Sequence, residues 1–211
     1  IPFIRALKLI AGDHQFLNYM DSFRYPLSGE FGISSSLARV SRIPSDWGLE
    51  VGMLAEIYRN TSIKRICQVD ICDQYEHKHQ SLSENDPQAG LNKMSEDIAL
   101  TLFRALASFG VPITQQILTA LEISYLRLAQ DSIVRYNHDA VINDIKFDRH
   151  LEELAIETFA KALFRAGDKF FTSHRESDTI PNWSRVLSVE PNFPDYLHEA
   201  SEEDLKEINL D

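Results

Sequence analysis

Apolar residues recur at helical spacing over most of this chain, with one interruption. Residues 3 to 21 read as one or two helices, broken near Gly12-Asp13. The stretch RYPLSGEFGISSS, residues 24–36, is rich in Pro, Gly and Ser and predicts a loop with a short strand over Ser28 to Phe31. Ile33 to Val40 predicts a short helix. In IPSDWGLEVGMLAEIYRNT, Ser45 or Asp46 is placed to cap a helix on which Trp47, Val51, Leu54 and Tyr58 share one face. The period then changes. SIKRICQVDIC, residues 62–72, is β-rich and apolar enough for a strand buried on both faces. A polar loop, SLSENDPQAG, follows it.

After Gly90 the helical period returns. Residues 92–109, 113–136 and 148–172 predict three helices, the first two separated by Gly110-Val111-Pro112. ESDTIPNWSRVLSVEPNFPDY predicts a Pro-punctuated linker with short helices, and SEEDLKEINL a last acidic helix. Ser201 and Asp204 there have capping-box spacing. The expected architecture is a small α/β part followed by a mainly helical extension, divided as 1–111 and 112–211. One strand makes no sheet, so its partners are expected outside this chain or unrecognised within it.

Charge narrows the function classes. Among 211 residues, 32 Asp and Glu outnumber 21 Lys and Arg, a net charge of -11. A general nucleic-acid binder needs a basic face, so that class is excluded, whereas a small anionic ligand held by a few local Arg or Lys is not. The acid excess is concentrated after Val186 and reads as a solvated acidic helix or tail. Cys67 and Cys72 flank the predicted strand. An extended run holds them too far apart for a disulfide, and two buried free thiols point to a reducing, cytoplasmic setting. No apolar run is long enough to span a membrane. A chain starting at Ile-Pro is expected to be a fragment of something longer.

Chemistry-bearing residues gather around the predicted strand. In YEHKHQ, His77 and His79 are two apart, so an extended chain points them the same way. With Glu76 nearby they are candidates for part of a metal site, or simply exposed residues at a polar strand end. In PLSGEFG, Gly29 and Gly32 bracket Glu30, which either meets a ligand from a tight turn or belongs to an ordinary one. Glu50 sits on or beside the apolar face of its helix between Gly48 and Gly52. Each glycine weakens the helix by about 1 kcal/mol relative to Ala. That pairing fits either close approach of a backbone or ligand, or a carboxylate that edges the helix and pairs with a base. Arg24, Lys64 and Arg65 face a phosphate or solvent. The Phe159, Leu163, Phe170 and Phe171 stripe reads as core.

Taken in order, PLSGEF, WGLEVGML and the QV strand leading to EHKHQSL resemble the glucosyl-3-phosphoglycerate synthase family, with mannosyl-3-phosphoglycerate and mannosylglycerate synthases as wider kin. The resemblance covers about Phe23 to Pro112. It implies the C-terminal part of a retaining glycosyltransferase of GT-A fold, moving a hexose from UDP- or GDP-hexose to 3-phosphoglycerate or a glycerate-like acceptor with Mg²⁺ or Mn²⁺. By that resemblance His77 is a metal ligand, Gly29 and Glu30 hold the donor sugar, and Glu50 lies near the sugar. His79 and Gln80 stand at the acceptor, where the family often has Asn and Arg. The family's DxD motif is absent from this chain. The implied partner is therefore an N-terminal DxD-bearing half of the same protein, without which transfer is not expected. The region after Pro112 is expected to serve oligomerisation, in a homodimer, or as a lid. Two rival readings are a non-catalytic helical interaction module and a metal-dependent hydrolase built on His77, His79 and Glu76.

Overall fold

A computed structural model describes residues 2–71, 80–173 and 179–208. Helices dominate them. Helices α1 (Pro2–Ala11) and α2 (Gln15–Ser22) form the entry. They are followed by α3 (Ser35–Val40) and α4 (Leu49–Asn60). The long helices α5 (Gly90–Ser108), α6 (Gln115–Ile142) and α7 (Arg149–Thr172) build the body. Helices α8 (Trp183–Val189) and α9 (Phe193–Ile208) close the chain. Strands β1 (Ile43–Pro44) and β2 (Thr179–Ile180) pair antiparallel, Ile43 opposite Ile180.

Local chemistry explains where the helices start and stop. Ser34, Thr114, Asp148 and Asn182 cap α3, α6, α7 and α8, each accepting a backbone N–H of the first turn through its side chain. The break predicted at Gly110 is a Schellman turn. The N–H of Gly110 donates to Ala107 O and that of Val111 to Leu106 O, with Gly110 at φ +87°. The end of α6 repeats this design with Asp144 at φ +53°.

One core is shared across that turn. Leu7 of α1, Phe16 and Leu17 of α2, Phe103 and Leu106 of α5, Leu121 of α6 and Ala166 of α7 are all buried within a single cluster. Helix α7 brings Ala160, Ala162 and Ala166 to the core, and these short side chains let it lie close against α5. Near α2 the core is aromatic, with Phe16, Tyr19, Tyr58 and Phe109 at ring-centroid distances of 4.8–6.2 Å. Burial there pushes the Tyr19 hydroxyl up to about 12.

Some expectations fail. The α/β layering expected for the first part is not seen among the described residues, which hold only the two-residue pair of strands. Residues 28–31 form a tight turn rather than a strand. Ile63–Arg65 is a single 3₁₀ turn, and 66–71 has no regular secondary structure and no strand partner among the described residues, with Val69 68% and Ile71 67% exposed. The sequence has the apolar β-branched residues of a buried strand, but no neighbouring strand offers it a ladder among the described residues. Cys67 is accordingly exposed, not buried, while Cys72 lies outside the described residues. Ser201 is inside α9, not at its start, because the helix begins at Phe193 with Pro194 in its first turn, where the missing N–H costs nothing. No helix of the described residues is long and apolar enough to cross a membrane.

The two glycines of α4 have a packing reason. A Cβ on Gly48 would lie 2.0 Å from Thr101 Oγ1, and one on Gly52 2.4 Å from the Pro44 ring. Both positions are where α4 presses on α5 and β1. Helix propensity alone favours Ala at residue 52 by about 1 kcal/mol. The steric clash reverses the sign, so Gly52→Ala is expected to destabilise the fold by about 1–3 kcal/mol in urea unfolding. An increase in stability would mean that Pro44 does not pack there.

Candidate functional site

The loop between α2 and α3 carries the first two candidates. Gly29 adopts φ +72°. Ser28 Oγ donates to the Glu30 carbonyl at 3.1 Å and accepts the Glu30 N–H at 3.4 Å. This tight turn leaves Gly29 and Glu30 exposed. The loop is not loose at its base, where Leu27 packs against the core. Arg24 then ties the loop to segment 66–71. Its N–H donates to Gln68 Oε1 at 2.9 Å, and its guanidinium pairs with Asp70 at 3.1 Å. Arg24 thus has protein partners, and they join the chain just after α2 to residues 68–70. Lys64 and Arg65 are exposed.

His77 and His79, with Glu76, lie outside the described residues. Among the described residues no three His, Cys, Asp or Glu side chains come together as a metal site. Gln80 resumes the chain, half-buried. Glu50 stands on a separate element, the first turn of α4, also half-buried. A carboxylate suits that position because the helix N-terminus carries a partial positive charge. Its flanking glycines pack against Thr101 and Pro44.

The chain leaving Gln80 is pinned to α5. Ser81 O accepts the Leu91 N–H at 2.8 Å, and Ser83 O accepts Asn92 Nδ2 at 3.2 Å. Gly90 is required there: its φ is +54°, and a Cβ would lie 2.2 Å from Ser81 O. Asn92 is 2% exposed and is itself held, its Oδ1 accepting from Arg165 Nη2. Arg165 Nε donates to Glu96 Oε2 at 2.7 Å, and Lys169 pairs with the other Glu96 oxygen. A buried polar chain therefore runs from α7 through Glu96 and Asn92 to the residues following Gln80. Sequence reasoning missed it. Its signal was visible, since Asn92 and Glu96 occupy the stripe that continues through Ala99, Leu100 and Phe103, so two polar residues sit at core positions. A cavity of about 540 Å³ opens elsewhere, between α4 and α5, and none of Gly29, Glu30, Glu50 or Gln80 lines it.

Two curated proteins match the chain. Glucosyl-3-phosphoglycerate synthase of Persephonella marina is 47% identical over 203 residues, which is 96% of this chain and 50% of that protein. Glucosyl-3-phosphoglycerate synthase of Methanococcoides burtonii is 45% identical over 193 residues, 90% of this chain and 47% of that protein. The resemblance carried by three short segments is thereby shown, and it runs well beyond Pro112. The chain spans about half the length of the curated relatives it matches. No family model matches the chain, and no solved structure does.

The polar chain at Glu96 makes stability pH-dependent. Burial alone raises the Glu96 carboxyl, but Lys169 and Arg165 together outweigh it and hold the group below its ordinary 4.5. A carboxylate depressed in the folded state stabilises the fold above that value and loses its contribution as pH falls through the folded pKa. Glu96→Gln removes the counter-charge of two cations that keep part of their contact with solvent, and is expected to cost about 1–3 kcal/mol at neutral pH. The variant should also show a shallower loss of stability on acidification below pH 4.5. Thermal unfolding of both proteins across that range is the measurement, and parallel acid limbs would place the titration elsewhere.

Proposed function

We propose that this homologue of glucosyl-3-phosphoglycerate synthases forms part of a metal-dependent retaining glycosyltransferase. The reaction moves a hexose from UDP- or GDP-hexose to 3-phosphoglycerate or a glycerate-like acceptor. The observation that carries the reading is identity of 47% and 45% to two proteins of that name across 96% and 90% of the chain. A DxD-bearing half, outside these 211 residues, completes the donor site.

Within this reading the residues divide by chemistry. His77 is the metal ligand this chain contributes. A bound Mg²⁺ or Mn²⁺ would neutralise the diphosphate of the leaving nucleotide. The tight turn at Ser28–Glu30 presents a carboxylate with its backbone close by, and Glu30 accepts hydrogen bonds from donor-sugar hydroxyls there. Gly29 lets that sugar approach the main chain. Glu50 orients the sugar from the start of α4. His79 and Gln80 meet the acceptor. Arg24, by joining residues 68–70 to the base of the Glu30 loop, supports the placement of donor and metal residues in one region.

The test is calorimetric titration of UDP- and GDP-hexoses, with Mg²⁺ or Mn²⁺, into the intact protein and its His77→Ala and Glu30→Gln variants. Donor binding is expected to require metal and to weaken at least about tenfold in His77→Ala. Glu30→Gln is expected to keep the metal requirement while losing about 10–100-fold in affinity for the hexose portion, read against the free nucleotide. Binding untouched by either substitution would remove both residues from the site. No donor binding at all would favour a helical interaction module.

A further inference from the structure

The cavity between α4 and α5 has a composition at odds with the rest of the molecule. The chain carries a net charge of -11, yet this cavity is lined by Arg42, Arg59 and Arg104 against one carboxylate, Glu56. Glu56 is turned onto the wall. Its Oε2 accepts the Arg42 backbone N–H at 3.0 Å, and its Oε1 lies 3.8 Å from Arg59 Nε. The Arg42 guanidinium has no ion pair among the described residues. Arg59 is fixed from two sides: Nη2 donates to Ser108 Oγ at 2.7 Å, and the guanidinium lies 4.6 Å over the Phe109 ring. Arg104 projects from α5, half-buried. The far wall is brought in by the β1–β2 pairing, with Asn182 Nδ2 donating to Val40 O at 3.3 Å.

Guanidiniums gathered on a concave wall, with Arg59 held by Ser108 and the Phe109 ring, are suited to oxyanions, which they meet through paired N–H donors. About 540 Å³ is room for more than a bare ion and lies in the range of small-metabolite sites. The position separates it from the donor residues. At roughly 100° per residue, Gly52, Ala55, Glu56 and Arg59 form the face of α4 turned away from Glu50. We propose that the cavity bounded by Arg42, Arg59 and Arg104 is a second ligand site, taking a small dianionic oxyanion, on the side of α4 opposite Glu50.

The shared chemistry is a doubly charged oxyanion, free or carried on a small organic body. The probes are inorganic phosphate and ribose 5-phosphate, titrated calorimetrically into the intact protein at constant ionic strength set with NaCl. Arg42 is exposed, so Arg42→Gln leaves the fold intact and is expected to weaken binding about tenfold or more. Glu56→Gln removes the one opposing charge and is expected to tighten binding, a gain that misfolding cannot produce. Tighter binding of ribose 5-phosphate than of phosphate identifies an organic phosphate as the ligand type, and equal binding identifies the free ion. No binding of either probe, or binding indifferent to both substitutions, overturns the site. Probe held instead at the proposed acceptor residues His79 and Gln80 would be indifferent to Arg42→Gln and Glu56→Gln, and that indifference separates failure of this site from failure of the transferase reading.

Discussion

The carboxylate of Glu96, 1% exposed and held by Arg165 and Lys169, is the constraint on which the body of this molecule is built. A buried charge without partners is not sustainable, so α5 and α7 must meet in one register, with Arg165 opposite Glu96 and its second nitrogen on Asn92. The surrounding contacts are alanines and leucines, which fill space well but tolerate sliding. The polar chain removes that freedom. It also reaches outward, since Asn92 fixes Ser83 and, with Leu91 on Ser81, the stretch that follows Gln80. Core register and the exit of the chain from its candidate ligand-bearing segment are thus set by the same few hydrogen bonds.

Much of the helical framework was legible because its signals are local. Gly12 and Gly110 act within a turn of where they stand, and α5 and α7 lie where their period predicts them, while α6 runs on to Ile142 and α4 starts after Gly48 without the side-chain cap expected from Ser45 or Asp46. The run 62–72 was misread for the opposite reason. Val69 and Ile71 have the composition of a buried strand, but a strand is defined by neighbours, and composition cannot say whether they are present. Helix α9 was drawn too short because proline was taken as punctuation, whereas Pro194 sits where a helix accepts it. The acidic tail is solvated, as its charge required.

The candidate site was legible in a different way. Glu30, Glu50 and His77 are nominated by the family resemblance, and it is that resemblance which two relatives at 45–47% identity bear out over nearly the whole chain. Physical reading of the same residues left alternatives open. The structure resolves one of these, since Gly48 and Gly52 serve helix packing. The three arginines around the α4–α5 cavity were not legible at all. Arg42, Arg59 and Arg104 are scattered in sequence and converge only through tertiary packing.

The pairing of Ile43 with Ile180, reinforced by Asn182 on Val40 across 142 residues, has a kinetic meaning. Helices α5, α6 and α7 follow one another through short connections and can assemble from contacts close in sequence. The clasp has to enclose that entire assembly, and the entropy of closing so long a loop is recovered only after the enclosed helices are in place. It is therefore expected to form late in folding and to open early. The wall of the arginine cavity that it supplies is completed only in the finished molecule.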